Sequence, residues 1–187
     1  MKILICGVGA IGSNLTRSLV PDLKGEHEIT ILDMDTVEKR NIQAGTQFYT
    51  EDQIGLSKVE ALQFNIYKWF NREIITDQYE VTEGDTFFGY DLIIDCFDNK
   101  KAREVMSKQD RPVLHIGFSD AFTFAIEWND NYKVPTNIEG LDICEMPGAS
   151  AFVASVAALG SLVAQEWITN NKKIEIVGGK YVHTKIS

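Results

Sequence analysis

Glycines in the first dozen residues have the spacing of a phosphate-binding turn. Gly7-Val8-Gly9-Ala10-Ile11-Gly12 has the form G-x-G-x-x-G and directly follows the apolar run Lys2–Cys6. In such a turn the first glycine permits the tight bend, the second lets the backbone approach a phosphate, and the third lets helix and strand pack closely. The helix that follows offers free N–H groups and its positive dipole end to the anion. Gly7, Gly9 and Gly12 therefore predict a site for a nucleotide phosphate.

A carboxylate follows at the distance expected for a ribose contact. Asp33 ends a second apolar run, residues 29–32, and lies 21 residues after Gly12. At the end of the second strand of such a unit, a carboxylate can accept hydrogen bonds from ribose hydroxyl groups. Strand, glycine turn, helix and acidic residue thus stand in the order of a nucleotide-binding unit, which is more specific than the turn alone.

A lysine at a predicted helix start is a third candidate. Ser57-Lys58-Val59-Glu60 fits a capping box, with Ser57 as N-cap and Glu60 reaching back to its N–H. Lys58 then takes the first helical position, where a cation opposes the helix dipole. A bound anion would explain that placement, and a solvated surface lysine is the alternative. The buried face of this helix is predicted to contain Val59, Leu62, Ile66 and Trp69.

The elements that position these residues alternate between strand and helix. Further strands are predicted over residues 73–78, 90–96 and 112–116, with a helix over 101–108. This alternation favours a doubly wound, Rossmann-like α/β fold with a mostly parallel sheet and helices on both faces. Ligands of such sheets bind beyond the carboxyl ends of the strands, where Gly7, Asp33 and Asp98 all fall. An ordinary helix N-cap is the alternative role for Asp98.

The second half of the chain predicts two antiparallel hairpins and a long helix. The first hairpin pairs residues 121–128 with 132–134, and the second turns at Gly178-Gly179. Between them, residues 151–168 are apolar nearly all round, as in a central buried helix. Together these elements predict a single domain over residues 1–187.

Composition excludes several classes of function. The net charge of −9 over 187 residues argues against a nucleic acid or an anionic membrane as the main partner. No signal peptide precedes the first strand, and the longest apolar run, residues 151–164, is too short to span a membrane. Three cysteines without a Cys-x-x-Cys pair argue against a disulfide framework and a structural zinc. A cytoplasmic protein without zinc is expected.

The cysteines and histidines differ in context. Cys6 and Cys96 lie at strand ends among apolar residues, so both are interpreted as small core residues. Cys144 lies in a polar loop before a helix start, where the dipole could stabilise a thiolate, although Glu145 would oppose it. Cys144 is therefore a candidate nucleophile. His115 lies within a strand and is expected to make a core hydrogen bond.

Taken together, the motifs resemble the ThiF/MoeB/HesA family, relatives of the ubiquitin-activating enzymes. The resemblance spans nearly the whole chain and depends on motifs in a fixed order. They are the glycine turn, Asp33-Met34-Asp35-Thr36-Val37, Asn41, Gly55-Leu56-Ser57-Lys58, Asp95-Cys96-Phe97-Asp98-Asn99 with Arg103, and Gly160-Ser161-Leu162-Val163-Ala164-Gln165-Glu166.

The resemblance implies binding of ATP and Mg²⁺ and adenylation of a carboxylate, usually the C-terminus of a ubiquitin-like sulfur carrier, or of a peptide. By position, the glycine turn would hold phosphates, Asp33 the ribose and Asp98 the Mg²⁺ ion. Asn41 and Lys58 would face the phosphates. Asp35 would join the nucleotide-binding set, although a structural role is equally open for it, as for Arg103. In some members a thiol placed like Cys144 receives the activated carboxylate or sulfur.

The sequence also departs from the family pattern. Ala44 stands where the family has an arginine, and one extra residue separates Asn41 from Lys58. Homodimeric members contribute a second arginine from a helix ahead of the first strand, and here Met1 begins that strand. Arg40 is a possible substitute. Because each fixed cation at a developing charge typically contributes about two to three orders of magnitude in rate, a slow enzyme or a borrowed arginine is expected.

Three functions stay open on the sequence. The first is ATP-dependent adenylation by a homodimer or heterodimer, with a ubiquitin-like carrier or peptide as substrate. The second is a catalytically impaired ThiF-like subunit that binds nucleotide in a heterodimer. The third is an NAD-dependent oxidoreductase, which the glycine turn and Asp33 would also suit.

Overall fold

A computed structural model describes residues 1–24, 26–119, 122–135 and 148–179 and the backbone of 185–186. The strands are β1 (Lys2–Cys6), β2 (Glu28–Leu32), β3 (Ile75–Asp77), β4 (Leu92–Asp95), β5 (Val113–Phe118), β6 (Thr123–Trp128), β7 (Ile176–Gly179) and β8 (Lys185–Ile186). The helices are α1 (Ala10–Asp22), α2 (Lys39–Gln43), α3 (Lys58–Phe70), α4 (Lys100–Ser107) and α5 (Ala149–Asn170). A turn of 3-10 helix covers Glu51–Gln53.

The described strands form one mixed sheet in the order β3-β2-β1-β4-β5-β6-β7-β8. Pairs from β3 to β5 are parallel, and pairs from β5 to β8 are antiparallel. This confirms the predicted α/β class with its parallel part first and antiparallel strands late. The strand order reverses between β1 and β4, and a crevice at such a switch point is where ligands bind in open α/β sheets.

Helices cover both faces of the sheet, as predicted. Alternate residues of β1 point to opposite faces, so Ile3 and Ile5 join the core under α1, α3 and α5, whereas Leu4 and Cys6 join a smaller core under α4. At Gly160 of α5, an added Cβ would lie 2.5 Å from Ile116 Cδ1. The glycine therefore lets α5 approach the sheet closely.

The long helix α5 is buried on one side only, so the prediction of an all-round buried helix was wrong. It packs on α1 and on the sheet, while its other side is exposed at Ala151, Ala154 and Leu162. The expectation that this stretch is too short to span a membrane was wrong, because the 22 residues of α5 are long and apolar enough by length and composition, but 44% of its most apolar window is buried in the protein. The core helix of a globular protein can be equally long and apolar.

The first predicted hairpin was wrong, whereas the second is confirmed by the antiparallel pairing of β7 with β8, and only the predicted place of its turn needs correction. Residues 132–134 form no strand, and β6 pairs with β5 on one side and β7 on the other. Tyr132 instead stacks on His115, with ring centroids 3.6 Å apart. Gly178 and Gly179 lie inside β7 rather than in a turn. A Cβ at Gly178 would lie 2.8 Å from the Phe124 ring, so this glycine serves close packing.

The predicted face of α3 is right except in its last turn. Val59, Leu62 and Ile66 are buried, but Trp69 is 67% exposed. Phe70 packs against the core in its place. Trp69 and Phe70 lie three and four positions after Ile66, and both spacings place a residue on the same helix face. The periodicity alone therefore could not decide which of the two side chains is buried.

Candidate nucleotide-binding site

The glycine turn, Asp33 and the loop carrying Asp98 follow three neighbouring strands. Cys6, the last residue of β1, is paired with Leu32 of β2 on one side and with Asp95 of β4 on the other. The segments that leave these strands therefore begin side by side at the carboxyl edge of the sheet. This edge includes the switch point between β1 and β4.

The protein itself requires glycine at two of the three turn positions. Gly7 has a φ of +76°, and a Cβ there would lie 3.0 Å from the Phe97 nitrogen. A Cβ at Gly12 would lie 1.9 Å from the Gly7 carbonyl oxygen, which excludes any side chain. At Gly9, by contrast, a Cβ would meet nothing within 4 Å. The open space above Gly9 fits a bound phosphate, which needs close approach to the backbone.

The start of α1 offers unpaired N–H groups to that space. Gly7 N–H donates to the Leu32 carbonyl at 2.8 Å and Val8 N–H donates to Asp33 Oδ2 at 2.7 Å, so both are already used. Gly9 is the N-cap and supplies no side-chain cap. Within the described part of the chain, the N–H groups of residues 9–12 donate to no other group. Such free donors at a helix N-terminus bind anions.

Asp33 shapes the turn and keeps capacity for a ligand. Its side chain is buried, and it accepts from Val8 N–H through Oδ2 and from Asp35 N–H through Oδ1 at 2.9 Å. Burial raises the pKa of Asp33, although the Lys58 charge and both N–H donors act in the opposite direction. Each carboxylate oxygen has a second lone pair, so Asp33 could still accept from a ribose hydroxyl.

Lys58 is the first residue of α3, as predicted, and it is buried rather than a solvated surface lysine. Its Nζ lies 2.7 Å from Asp35 Oδ2, and the Lys58 side chain is 10% exposed against 52% for Asp35. The anion expected next to a lysine at this helix position is therefore the Asp35 carboxylate of the same chain.

Only one of the two hydrogen bonds of the predicted capping box forms at the start of α3. Ser57 Oγ accepts from Glu60 N–H, and the Glu60 carboxylate accepts from the Ser57 hydroxyl instead of the Ser57 N–H. The cap fixes the helix start and with it the position of Lys58.

The segment that carries Asn41 and Ala44 forms α2 and its end. Asn41 is buried, and its Oδ1 accepts from Glu38 N–H at 2.7 Å, so this side chain helps to start the helix. Ala44 ends α2 without a polar group. Arg40, the possible substitute for the absent arginine, forms an ion pair with Glu38.

Asp98 is exposed and accepts no hydrogen bond from the described residues. The N-cap of α4 is Asn99, whose Oδ1 accepts from Ala102 N–H at 2.8 Å, so the alternative of a capping role for Asp98 was wrong. Among the described residues, no group of three His, Cys, Asp or Glu could hold a metal. Mg²⁺ usually takes one or two carboxylates plus substrate phosphates, so an exposed Asp98 fits a metal shared with a nucleotide.

Beneath the Asp98 loop lies a buried polar network. Asp95 accepts from Phe97 N–H and from His115 Nδ1 at 2.8 Å, which confirms the predicted core hydrogen bond of His115. Arg103 donates to the Ile116 carbonyl and to the Tyr132 hydroxyl, both at 3.0 Å. These contacts give Arg103 a structural role.

Two of the three cysteines, Cys6 and Cys96, lie among the described residues. Burial raises the pKa of the Cys6 and Cys96 thiols, which fits the interpretation of both as core residues. The candidate nucleophile Cys144, with its neighbour Glu145, lies outside the described residues.

One contact at the turn was missed by the sequence reasoning. The Tyr49 hydroxyl donates to the Val8 carbonyl at 2.6 Å, across 41 positions of sequence. Tyr49 lies in a segment without clear periodicity, so no local pattern could have indicated this partner.

Comparison with known proteins shows the family to which the chain belongs. The sequence matches the ThiF family over residues 1–176. It is 32% identical over 126 residues to SUMO-activating enzyme subunit 2 of Dictyostelium discoideum, covering 62% of this chain and 18% of that protein. It is 27% identical over 110 residues to molybdopterin-synthase adenylyltransferase of Salmonella typhimurium, covering 57% of this chain and 43% of that protein.

Solved structures share the fold at low sequence identity. Escherichia coli MccB with MccA-N7isoASN superposes with a TM-score of 0.72 at 16% identity, over 100% of this chain and 63% of that one. MccB with ATP gives a TM-score of 0.69 at 15% identity, over 100% and 62%. The chain thus spans less than two thirds of each of these proteins.

Proposed function

The chain belongs to the ThiF family, and from this we propose that it binds ATP with Mg²⁺ and adenylates the C-terminal carboxylate of a ubiquitin-like carrier protein or a peptide. Relatives of the chain support this class of reaction: one is an adenylyltransferase, and another is a subunit of a SUMO-activating enzyme. MccB, which shares the fold, has been solved with ATP and with forms of MccA.

The observation that carries the proposal is the open space above Gly9 at the start of α1. Free N–H groups and the helix dipole surround a place where no described protein atom lies, and Asp33 stands beside it. An anionic ligand with a hydroxyl-bearing sugar would satisfy both features.

In the proposed reaction, a carboxylate oxygen of the acceptor attacks the α-phosphorus of ATP, and pyrophosphate leaves with the electrons of the broken P–O bond. The N–H groups of residues 9–12 would hold phosphate oxygens, and Asp33 would accept from the ribose. Lys58 would turn from Asp35 to the phosphates, since Asp35 is half exposed and can be hydrated when released. Bound through Asp98 and the phosphates, Mg²⁺ would supply charge stabilisation.

A second candidate follows from α2. Ala44 offers no cation, and Arg40 is paired with Glu38. The chain would then bind nucleotide as one subunit of a heterodimer, and the partner would supply an arginine. Family membership weighs against the third possibility, an NAD-dependent oxidoreductase.

Thermal unfolding with ATP–Mg²⁺, AMP or NAD tests nucleotide binding. A ligand at 100 times its Kd raises the free energy of unfolding by about 2.7 kcal/mol, which corresponds to about 5–11 °C for a chain of this size. We expect ATP–Mg²⁺ to stabilise the wild type and Asp98→Ala to respond less. Asp110→Ala, which removes an exposed aspartate beyond the far end of α4, is the matched control.

Pyrophosphate exchange then separates the candidates. Exchange by the chain with a peptide or carrier substrate supports adenylation, and exchange only after a second subunit is added supports the heterodimer. Stabilisation by NAD alone would support the oxidoreductase. No response to any nucleotide would refute the proposal for this chain.

A further inference from the structure

The peptide between Val8 and Gly9 is the part of the glycine turn whose orientation decides where the first free N–H group points. A trans peptide is planar, so its C=O and N–H point in opposite directions. Whatever holds the Val8 carbonyl therefore also aims the Gly9 N–H. That N–H is the first one in the turn that no described group uses.

Tyr49 holds this carbonyl. Its hydroxyl donates to the Val8 oxygen at 2.6 Å, and the residue is only 7% exposed. Burial raises the pKa of Tyr49, and the nearby charges of Asp33 and Asp35 add to the effect, so the hydroxyl stays protonated and remains a donor.

The other side of the turn is fixed independently. Val8 N–H donates to Asp33, and the Gly7 carbonyl packs against the Cα of Gly12. Val8 is thus held at both its N–H and its C=O. The two bonds come from two different segments of the chain, the end of β2 and the residues after α2.

We propose that Tyr49 is a positioning residue of the phosphate site: its hydroxyl holds the Val8–Gly9 peptide so that the Gly9 N–H faces the phosphates. This inference rests on the proposed function, because it needs a nucleotide on the turn. Tyr49 is buried, and its hydroxyl would act on the ligand only through Val8. Removal of the hydroxyl should therefore weaken phosphate binding and leave the nucleoside contacts intact.

Tyr49→Phe removes the hydroxyl and keeps the ring. Calorimetric titration should show the Kd for ATP–Mg²⁺ raised about tenfold, which corresponds to about 1.4 kcal/mol, or close to one hydrogen bond to a charged group. The Kd for adenosine should change by less than about twofold, the free energy of a fraction of one neutral hydrogen bond. A merely structural role for the hydroxyl would weaken both ligands alike.

Tyr79→Phe is the matched control, because it also removes one tyrosine hydroxyl bond. The Tyr79 hydroxyl contacts Asp85 at 3.0 Å in an exposed loop. This control should bind both ligands like the wild type. If the wild type binds ATP–Mg²⁺ and Tyr49→Phe binds it equally well, the inference is wrong and the proposed function stands. If the wild type binds no nucleotide, both fail.

A measurement on the wild type keeps the inference testable if Tyr49→Phe does not fold. In amide NMR spectra, ATP–Mg²⁺ should shift the Gly9 resonance more than that of Val8, whose N–H stays with Asp33. Binding of ATP–Mg²⁺ without a change at Gly9 would overturn the inference.

Discussion

The ion pair between Lys58 and Asp35 leads to an asymmetric prediction, because its two partners differ in exposure. The Lys58 side chain is 10% exposed and that of Asp35 is 52% exposed. Removing either residue breaks the same 2.7 Å contact but leaves a different charged group without its partner. Asp35→Ala leaves a buried ammonium, whereas Lys58→Met leaves a carboxylate that water can reach.

The expected costs follow from the burial of the group that is left. An unpaired, fully buried charge costs about 3–5 kcal/mol. The residual exposure of Lys58 and the nearby Asp33 charge reduce this to about 2–3 kcal/mol for Asp35→Ala. Lys58→Met should cost about 0–1 kcal/mol, as for exposed ion pairs, because methionine keeps most of the apolar stem. For a chain of this size, Asp35→Ala should lower Tm by about 4–12 °C and Lys58→Met by about 4 °C at most.

Urea denaturation of both variants and of the wild type, at low ionic strength and without nucleotide, measures the difference. Lys2→Met is the matched control, since it breaks an exposed pair with Glu28 of 3.3 Å. When ATP–Mg²⁺ is added, Lys58→Met should gain less stability from the ligand than the wild type or Asp35→Ala. Equal losses for the two substitutions, or a larger loss for Lys58→Met without ligand, would refute the reasoning from burial.

Three further predictions concern the turn and the helix caps. Gly12→Ala should lower the free energy of unfolding by about 3 kcal/mol or more, because its Cβ would overlap the backbone. Gly9→Ala should lower it by about 1 kcal/mol or less and yet weaken ATP binding. Urea denaturation measures the stabilities, and calorimetry measures the binding. Ser57→Ala should cost about 1 kcal/mol in urea denaturation through loss of the N-cap of α3. The raised pKa of Asp33 means that its contribution to stability is greatest below pH 3.8 and is lost as pH rises through the folded-state pKa. Adenosine binding, which needs the ionised acceptor, should instead weaken as pH falls through that pKa, and Asp33→Asn should lack this pH dependence in titrations across the range.

The parts of the fold that local sequence determines were predictable. The run Lys2–Cys6 forms β1 with the predicted bounds, because a short β-branched apolar run before a glycine turn has few other solutions. The alternation of strand and helix likewise predicted the parallel half of the sheet. It also predicted that Gly7, Asp33 and Asp98 would follow strand ends.

Contacts between distant segments were not predictable from periodicity. The partner of Lys58 lies 23 positions away and that of Tyr49 lies 41 positions away, so no helical or strand spacing relates them. The lysine's place at a helix start indicated that an anion was needed, but not that Asp35 would supply it.

Predictions from local composition were wrong where tertiary contacts determine the local structure. Gly178-Gly179 has turn composition, yet both residues lie in β7 and pair with β6. Glycine is needed at position 178 because the Phe124 ring leaves no room for a side chain. At the start of α4, adjacent Asp98 and Asn99 are both good N-caps, and only the backbone of the structure shows that Asn99 takes the position. That outcome leaves the Asp98 carboxylate available to a ligand.

The balance of charge at the proposed site argues for a cation that arrives with the nucleotide. Lys58 is neutralised by Asp35, and Asp33 and Asp98 add two carboxylates at the same edge of the sheet. Against these, the start of α1 supplies only about half an elementary charge. A triphosphate would therefore meet a net negative site unless Mg²⁺ or a guanidinium group accompanies it. Because Ala44 has no charge, the proposed adenylation would need Mg²⁺ bound at Asp98, an arginine from elsewhere, or both.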